Sequence, residues 1–179
     1  SIFIVRIIRY LNHLNNINMV TGIQHEYASE VKKTSQILKA LKEEHKDWKP
    51  HEKSMDVAQL ASHIVDLQTW FYNALKKDAF DLKTDYVPIA YISFEELNEV
   101  LEKRVAANMV FIEGVGNDFW FENFTFTMGD YVIAKLPRIA FLRSVLTNHL
   151  IHHRGQLTVY LRLLNIPVPG IYGPSADEH

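Results

Sequence analysis

Residues 148–157 read NHLIHHRGQL, and this stretch places titratable side chains at positions where a helix would normally carry core leucines. Apolar residues recur around it at steps of three and four, the spacing of one helix face. The predicted buried row comprises Leu142, Leu146, His149, His153, Gln156 or Leu157, Tyr160 and Leu164. His149 and His153 therefore occupy core positions one turn apart. His152 lies one position off this row, and we interpret it as peripheral or as a residue that supports the ligands from outside the site.

Three upstream segments show the same periodicity. They cover residues 27–48, 54–77 and 93–114. Ser54 or Asp56 can cap the second helix, and Ser93 with Glu96 three residues later forms the pattern of a capping box. Four amphipathic helices of this kind predict an all-α fold, a four-helix bundle whose connections are mixed, of the up-down-down-up type.

The remaining segments set the predicted domain boundaries. Residues 117–131, between the third and fourth helices, are aromatic and β-branched and predict a short extended flap or hairpin. Residues 78–92 are interpreted as a long connector. Residues 1–18 are interpreted as an uncertain leader or extra helix, and residues 19–179 as a single helical-bundle domain. The apolar part of the leader is too short to cross a bilayer, so no membrane association is expected.

Composition excludes several classes of function. Nineteen basic and 21 acidic residues give a net charge of −2, which does not suit a nucleic-acid-binding surface. The chain has no cysteine, so a thiolate metal site, a disulfide framework and a cysteine nucleophile are excluded. The lack of cysteine also fits a cytoplasmic protein. Nine histidines are many for 179 residues, and they are the best candidates for a functional site.

A third histidine occupies a core position on another helix. His63 lies between Leu60 and Leu67 on the buried face of the second helix. Two core histidines at positions i and i+4, with one more from a second helix, can converge inside a bundle. A divalent cation would use one nitrogen of each neutral ring, and the other N–H would go to a neighbouring acceptor. The predicted metal ligands are His63, His149 and His153.

Two stretches resemble a known family. Residues 47–64, DWKPHEKSMDVAQLASHI, and residues 148–178, which begin NHLIHHRGQL and end PGIYGPSADE, are similar to the DinB-like (YfiT-like) superfamily. The resemblance implies a four-helix bundle, a homodimer, a bacterial cytoplasmic location, and a divalent metal held by His63, His149 and His153. Zinc or nickel is the expected ion, with iron or manganese as alternatives.

The resemblance leaves three functions open. In the first, a low-molecular-weight thiol of the bacillithiol type is transferred to a small electrophile, and the metal centre itself is the catalytic group. In the second, the chain is a non-catalytic metal-binding protein of a stress response. In the third, it is a metal-dependent hydrolase, with Asp66, one turn after His63, as the nearest carboxylate that could move a proton.

Overall fold

The computed structural model describes residues 19–178, except for the side chain of Phe71. The predicted leader of residues 1–18, with His13, and His179 at the other end lie outside the described residues. The first three helices are α1 (Met19–Lys39), α2 (Val57–Leu75) and α3 (Phe94–Gly114). No helix in the described part of the chain combines the length and the apolarity needed to cross a bilayer.

Two of these helices begin at the residues that the sequence predicts. The side chain of Asp56 accepts a hydrogen bond from the backbone N–H of Gln59, and the Gln59 side chain accepts one from the N–H of Asp56. The hydroxyl of Ser93 accepts the backbone N–H of Glu96 at the start of α3. These contacts satisfy amide groups that have no partner within the helix.

The last helix, α4, contains an irregular section that the sequence did not reveal. It begins as an α-helix (Arg138–Phe141), continues as a π-helix (Leu142–Thr147) and returns to an α-helix (Asn148–Leu163). Asn165 then adopts a positive φ of 57°, which ends the helix where the sequence predicts. Short π sections occur most often near functional sites, and this one directly precedes the histidine-rich turn.

The four helices pack so that chain neighbours are not always spatial neighbours. Helix α1 packs mainly against α3 and α4, and α2 also packs mainly against α3 and α4. The connections from α1 to α2 and from α3 to α4 therefore join helices that are not adjacent. This arrangement brings α2 beside α4, a relation that helical periodicity cannot predict.

The four predicted helices are confirmed, but the fold is mainly helical rather than all-α, because the chain also contains a small three-stranded mixed sheet. Strands β1 (Ala79–Asp81) and β2 (Asn123–Met128) are parallel, and β2 pairs with β3 (Tyr131–Pro137) in an antiparallel hairpin. The predicted flap is this hairpin, which extends to Pro137, and β1 lies in the predicted connector. Three residues are too few to display a strand's alternation, so β1 is defined only by pairing with a distant segment.

Arg138 connects the sheet to the end of α2. Its guanidinium is buried and donates to the carboxylates of Asp78 and Glu122 at 2.7 and 2.8 Å. It also donates to the backbone carbonyls of Leu75 and Lys77. One side chain therefore fixes the last turn of α2, the entry to β1 and the start of the hairpin.

Candidate metal centre

Three histidines from two helices converge between α2 and α4. His63 comes from α2, and His149 and His153 come from successive turns of α4. One ligand nitrogen from each ring lies within 4.8 Å of the other two, and the Nε2 atoms of His63 and His149 are 3.3 Å apart. The structure thus brings together all three predicted ligands, in an arrangement that could hold a metal ion.

Gln156 orients one ring of the cluster. Its Oε1 lies 2.7 Å from Nδ1 of His153. Because an amide oxygen can only accept, this contact assigns the proton of His153 to Nδ1 and leaves the lone pair of Nε2 for a metal. An outer hydrogen bond of this kind is the usual companion of a histidine ligand. The sequence offered Gln156 or Leu157 for this position of the buried row; Leu157 is the buried one, and the role of Gln156 was not predicted.

The environment of the cluster favours neutral imidazoles. Burial, and after it the proximity of His153 and His63, lowers the pKa of His149 from 6.5 to about 4. Burial, and then the proximity of His153, also lowers the pKa of His63. Burial lowers the pKa of His153, although the hydrogen bond that its Nδ1 donates to Gln156 raises it. The neutral ring is the form that binds a metal, so the site keeps its lone pairs available at neutral pH.

The residues present fit a metal ion in donor chemistry and in surroundings. Three imidazole nitrogens suit zinc, nickel, copper or iron, and none of these ions is singled out by the ligand set. The ring of Trp70 lies edge-on to His63, with centroids 6.1 Å apart, and 6.0 Å from that of His149. Its buried indole N–H has no hydrogen-bond partner among the described residues. A ligand or water at the centre could accept this hydrogen bond.

Both carboxylate oxygens of Asp66 already have partners in the connector and in α3, so this side chain is not available as a base. Its side chain is 2% exposed, and one carboxylate oxygen accepts hydrogen bonds from the hydroxyl of Tyr86 and the N–H of Ile89, at 3.0 and 2.9 Å. The other oxygen lies 3.4 Å from the guanidinium of Arg104. Asp66 therefore joins α2 to the connector and to α3, a role that its sequence position did not reveal.

The other histidines of the described chain do not join the cluster. His25, His51 and His152 are exposed, and His45 is half-buried beside the exposed Glu44. His152 contacts the ring of His153 from outside, with centroids 4.9 Å apart. His152 therefore lies outside the cluster, at its exposed edge.

Metal-free protein is expected to lose stability as the pH falls from about 6.5 towards 4. The folded-state pKa of His149 lies below its unfolded value, so the unfolded chain binds more protons across this interval. The contribution is fully present above 6.5 and is lost as the pH falls. Denaturant unfolding of wild type and of His149→Ala at several pH values measures it. An equal pH dependence in the two proteins would contradict the assignment.

The fold and the site together define a class of protein. Its members are helical bundles in which three histidines between two helices could hold a divalent metal. The model of the DinB family matches residues 18–179, and the chain belongs to this family. The resemblance seen in the sequence is thereby confirmed.

The similarity extends to individual proteins. A 49-residue segment is 54% identical to the uncharacterized protein YrdA of Bacillus subtilis, covering 27% of this chain and 29% of that protein. The matched segment thus spans under a third of the curated relative. A DinB-like protein from Bacillus cereus has a similar structure, with a TM-score of 0.69 and 23% identity over 85% of this chain and 97% of that one. For the DinB-like protein YjoA of Bacillus subtilis the TM-score is 0.67, with 20% identity over 86% and 98% of the chains. These likenesses concern the fold.

Proposed function

We propose that this chain is a divalent-metal-dependent thiol S-transferase, in which His63, His149 and His153 hold the metal. The convergence of three neutral histidine nitrogens within 4.8 Å supports this most directly. Three protein ligands are typical of catalytic metal sites, because they leave a position for an exogenous group. Structural sites, by contrast, are usually closed by four protein ligands.

A bound divalent cation supplies one chemical effect, since it lowers the pKa of a coordinated thiol and so favours the nucleophilic thiolate. The chain itself has no cysteine, so the thiol has to come from a cosubstrate. In the net reaction the sulfur forms a bond to carbon, and the leaving group departs with the electrons of its own bond. The thiol proton is released to solvent.

The protein's own residues hold and orient the centre. Gln156 fixes the ring of His153 through Nδ1, and the burial of the three rings keeps them unprotonated at neutral pH. Trp70 is buried and covers one side of the cluster. No separate acid or base is assigned, because ionisation of the thiol by the cation leaves no further proton transfer for the chain to perform.

The same geometry disfavours the hydrolase alternative. A hydrolase of this kind needs a carboxylate beside the attacking water, and the nearest one in sequence, Asp66, already accepts hydrogen bonds through both oxygens. The other alternative, a non-catalytic metal-binding protein, predicts metal binding without turnover. Turnover measurements therefore separate it from the transferase.

Metal-loaded protein is expected to accelerate thioether formation between 1-chloro-2,4-dinitrobenzene and one or more low-molecular-weight thiols. The measurement is the initial rate with bacillithiol, coenzyme A, cysteine and glutathione, before and after chelation. His149→Ala should lose the acceleration, and His152→Ala should retain it because His152 lies outside the cluster. Metal-loaded protein with no acceleration for any thiol and electrophile tested would favour the non-catalytic alternative.

A further inference from the structure

A cleft of about 380 Å³ opens beside the histidine cluster and shares His63 with it. One wall is a face of α2, where Gln59, Ser62 and Asp66 recur at helical spacing. The residues of the opposite wall belong to the connector between β1 and α3: Tyr86, Pro88, Ile89 and Tyr91. A molecule in this cleft would therefore lie against the connector, next to an edge of the histidine cluster.

The cleft offers no free charge to a ligand. None of the described residues that line it is a lysine or arginine, and Asp66 is its one carboxylate. That carboxylate is 2% exposed and is already paired with Arg104. An anionic ligand would lose its hydration here without gaining a cation, which is costly. A cationic ligand would have to compete with Arg104 and with the hydrogen bonds from the connector.

The hydroxyl donors of the connector are also engaged. Tyr86 donates to Asp66, and Tyr91 donates to the carboxylate of Glu43 at 2.5 Å. Glu43 also accepts the backbone N–H of Phe94 at 2.7 Å, so the far end of the connector is held at the start of α3. These contacts fix the connector at both ends. What remains for a ligand is the apolar surface of the tyrosine rings, Pro88 and Ile89.

One polar group on the α2 wall lacks a partner. Gln59 is exposed and lines the cleft. Its Oε1 accepts the N–H of Asp56, but its side-chain NH₂ group has no hydrogen-bond partner among the described residues. A polar group on an otherwise apolar ligand would accept a hydrogen bond from this NH₂ group. The cleft thus combines an apolar wall with one hydrogen-bonding position.

We propose that this cleft binds the electrophilic substrate, and that the substrate is uncharged and largely apolar, with one polar group that pairs with the side-chain NH₂ of Gln59. That the ligand is an electrophile rests on the proposed transferase function, whereas the preference for an uncharged ligand follows from the cleft alone. A ring-sized molecule bound there would lie beside His63, at the side of the histidine cluster that faces the cleft.

Benzamide and benzoate test the preference, because they have nearly the same size and differ in charge. In the metal-free full-length chain, benzamide is expected to bind at least about tenfold more tightly than benzoate in NMR titrations. The Ile89→Trp variant fills the cleft and should weaken benzamide binding at least about tenfold, with or without metal. The matched control is Val87→Trp, on the same connector but 78% exposed and outside the lining. It should bind benzamide like wild type.

A second variant at the same position, Ile89→Lys, separates loss of binding in the cleft from a packing defect that Ile89→Trp would cause. Ile89→Lys adds a cation to the cleft and should reverse the preference towards benzoate, while the metal content of all three variants stays that of wild type. Equal binding of benzamide and benzoate by wild-type protein, or unchanged benzamide binding by Ile89→Trp, would overturn the cleft assignment. Benzamide binding that Ile89→Trp removes, in a protein without thiol-transfer turnover, would instead overturn the transferase and leave the cleft assignment standing.

Discussion

Replacement of His149 by alanine is expected to lower the metal content from about one ion per chain to a small fraction of that value. His149 supplies one of three nitrogens, and its Nε2 lies 3.3 Å from that of His63. Two remaining imidazoles bind a divalent cation much more weakly than three. The measurement is elemental analysis of tag-free protein after dialysis, and the His63→Ala and His153→Ala variants should behave in the same way.

The matched control is His152→Ala, which removes an exposed histidine from the same turn of α4. It should leave the metal content unchanged. Circular dichroism should show that helicity is retained in all four variants, so that metal loss reports on the ligands alone. Wild-type protein that cannot be loaded with zinc, nickel, iron or manganese would mean that the three histidines only pack together.

Replacement of Arg154 by methionine is expected to lower the free energy of unfolding by about 3 kcal/mol, the lower end of the range for breaking a buried ion pair. Arg154 is 1% exposed and donates to the carboxylate of Glu30 at 2.5 Å and to its carbonyl at 2.8 Å. Burial raises the pKa of Glu30, but hydrogen bonds from Lys33, Tyr172 and Arg154 lower it below its usual value overall. Without Arg154 this buried carboxylate loses its strongest partner and keeps only the ion pair with Lys33, at 2.6 Å, and the hydrogen bond from Tyr172.

Urea unfolding at pH 7 measures the change. The control is Arg143→Met, since Arg143 pairs with Glu26 at 3.2 Å but is 62% exposed, and this pair should contribute less than about 1 kcal/mol. The double variant Glu30→Gln with Arg154→Met should recover part of the loss, because no uncompensated charge remains. Similar losses for the Arg154 and Arg143 single variants would contradict a buried ion pair.

The same contacts explain why Arg154 adjoins the metal cluster without joining it. Its side chain points from α4 towards α1, where it also meets the hydroxyl of Thr34, and Tyr172 from the C-terminal tail donates to the same carboxylate. Arg154 therefore forms a buried salt bridge and is not part of the metal cluster. Its partner, Glu30, lies 124 positions away along the chain, so no local pattern could identify it.

Local rules accounted for the helices and for the identity of the clustered histidines. Helical phase placed His63, His149 and His153 on buried faces, and capping residues marked the start of α2 near Ser54 or Asp56 and that of α3 at Ser93. Both signals depend on residues at most four positions apart. They can be recognised in one sequence because backbone geometry fixes which near neighbours share a face. The homodimer, the single-domain assignment and the identity of the metal stay predictions.

Only the tertiary structure determined which helices are neighbours and what surrounds the histidine cluster. The contact of α2 with α4, the pairing of β1 with β2 and the anchoring of the connector by Asp66 all join segments that are distant in sequence. Such contacts depend on how whole elements pack, and a three-residue strand or a single carboxylate carries no periodic signal of them. The residues of the site could therefore be chosen from the sequence alone, whereas the cleft beside them depended on the fold.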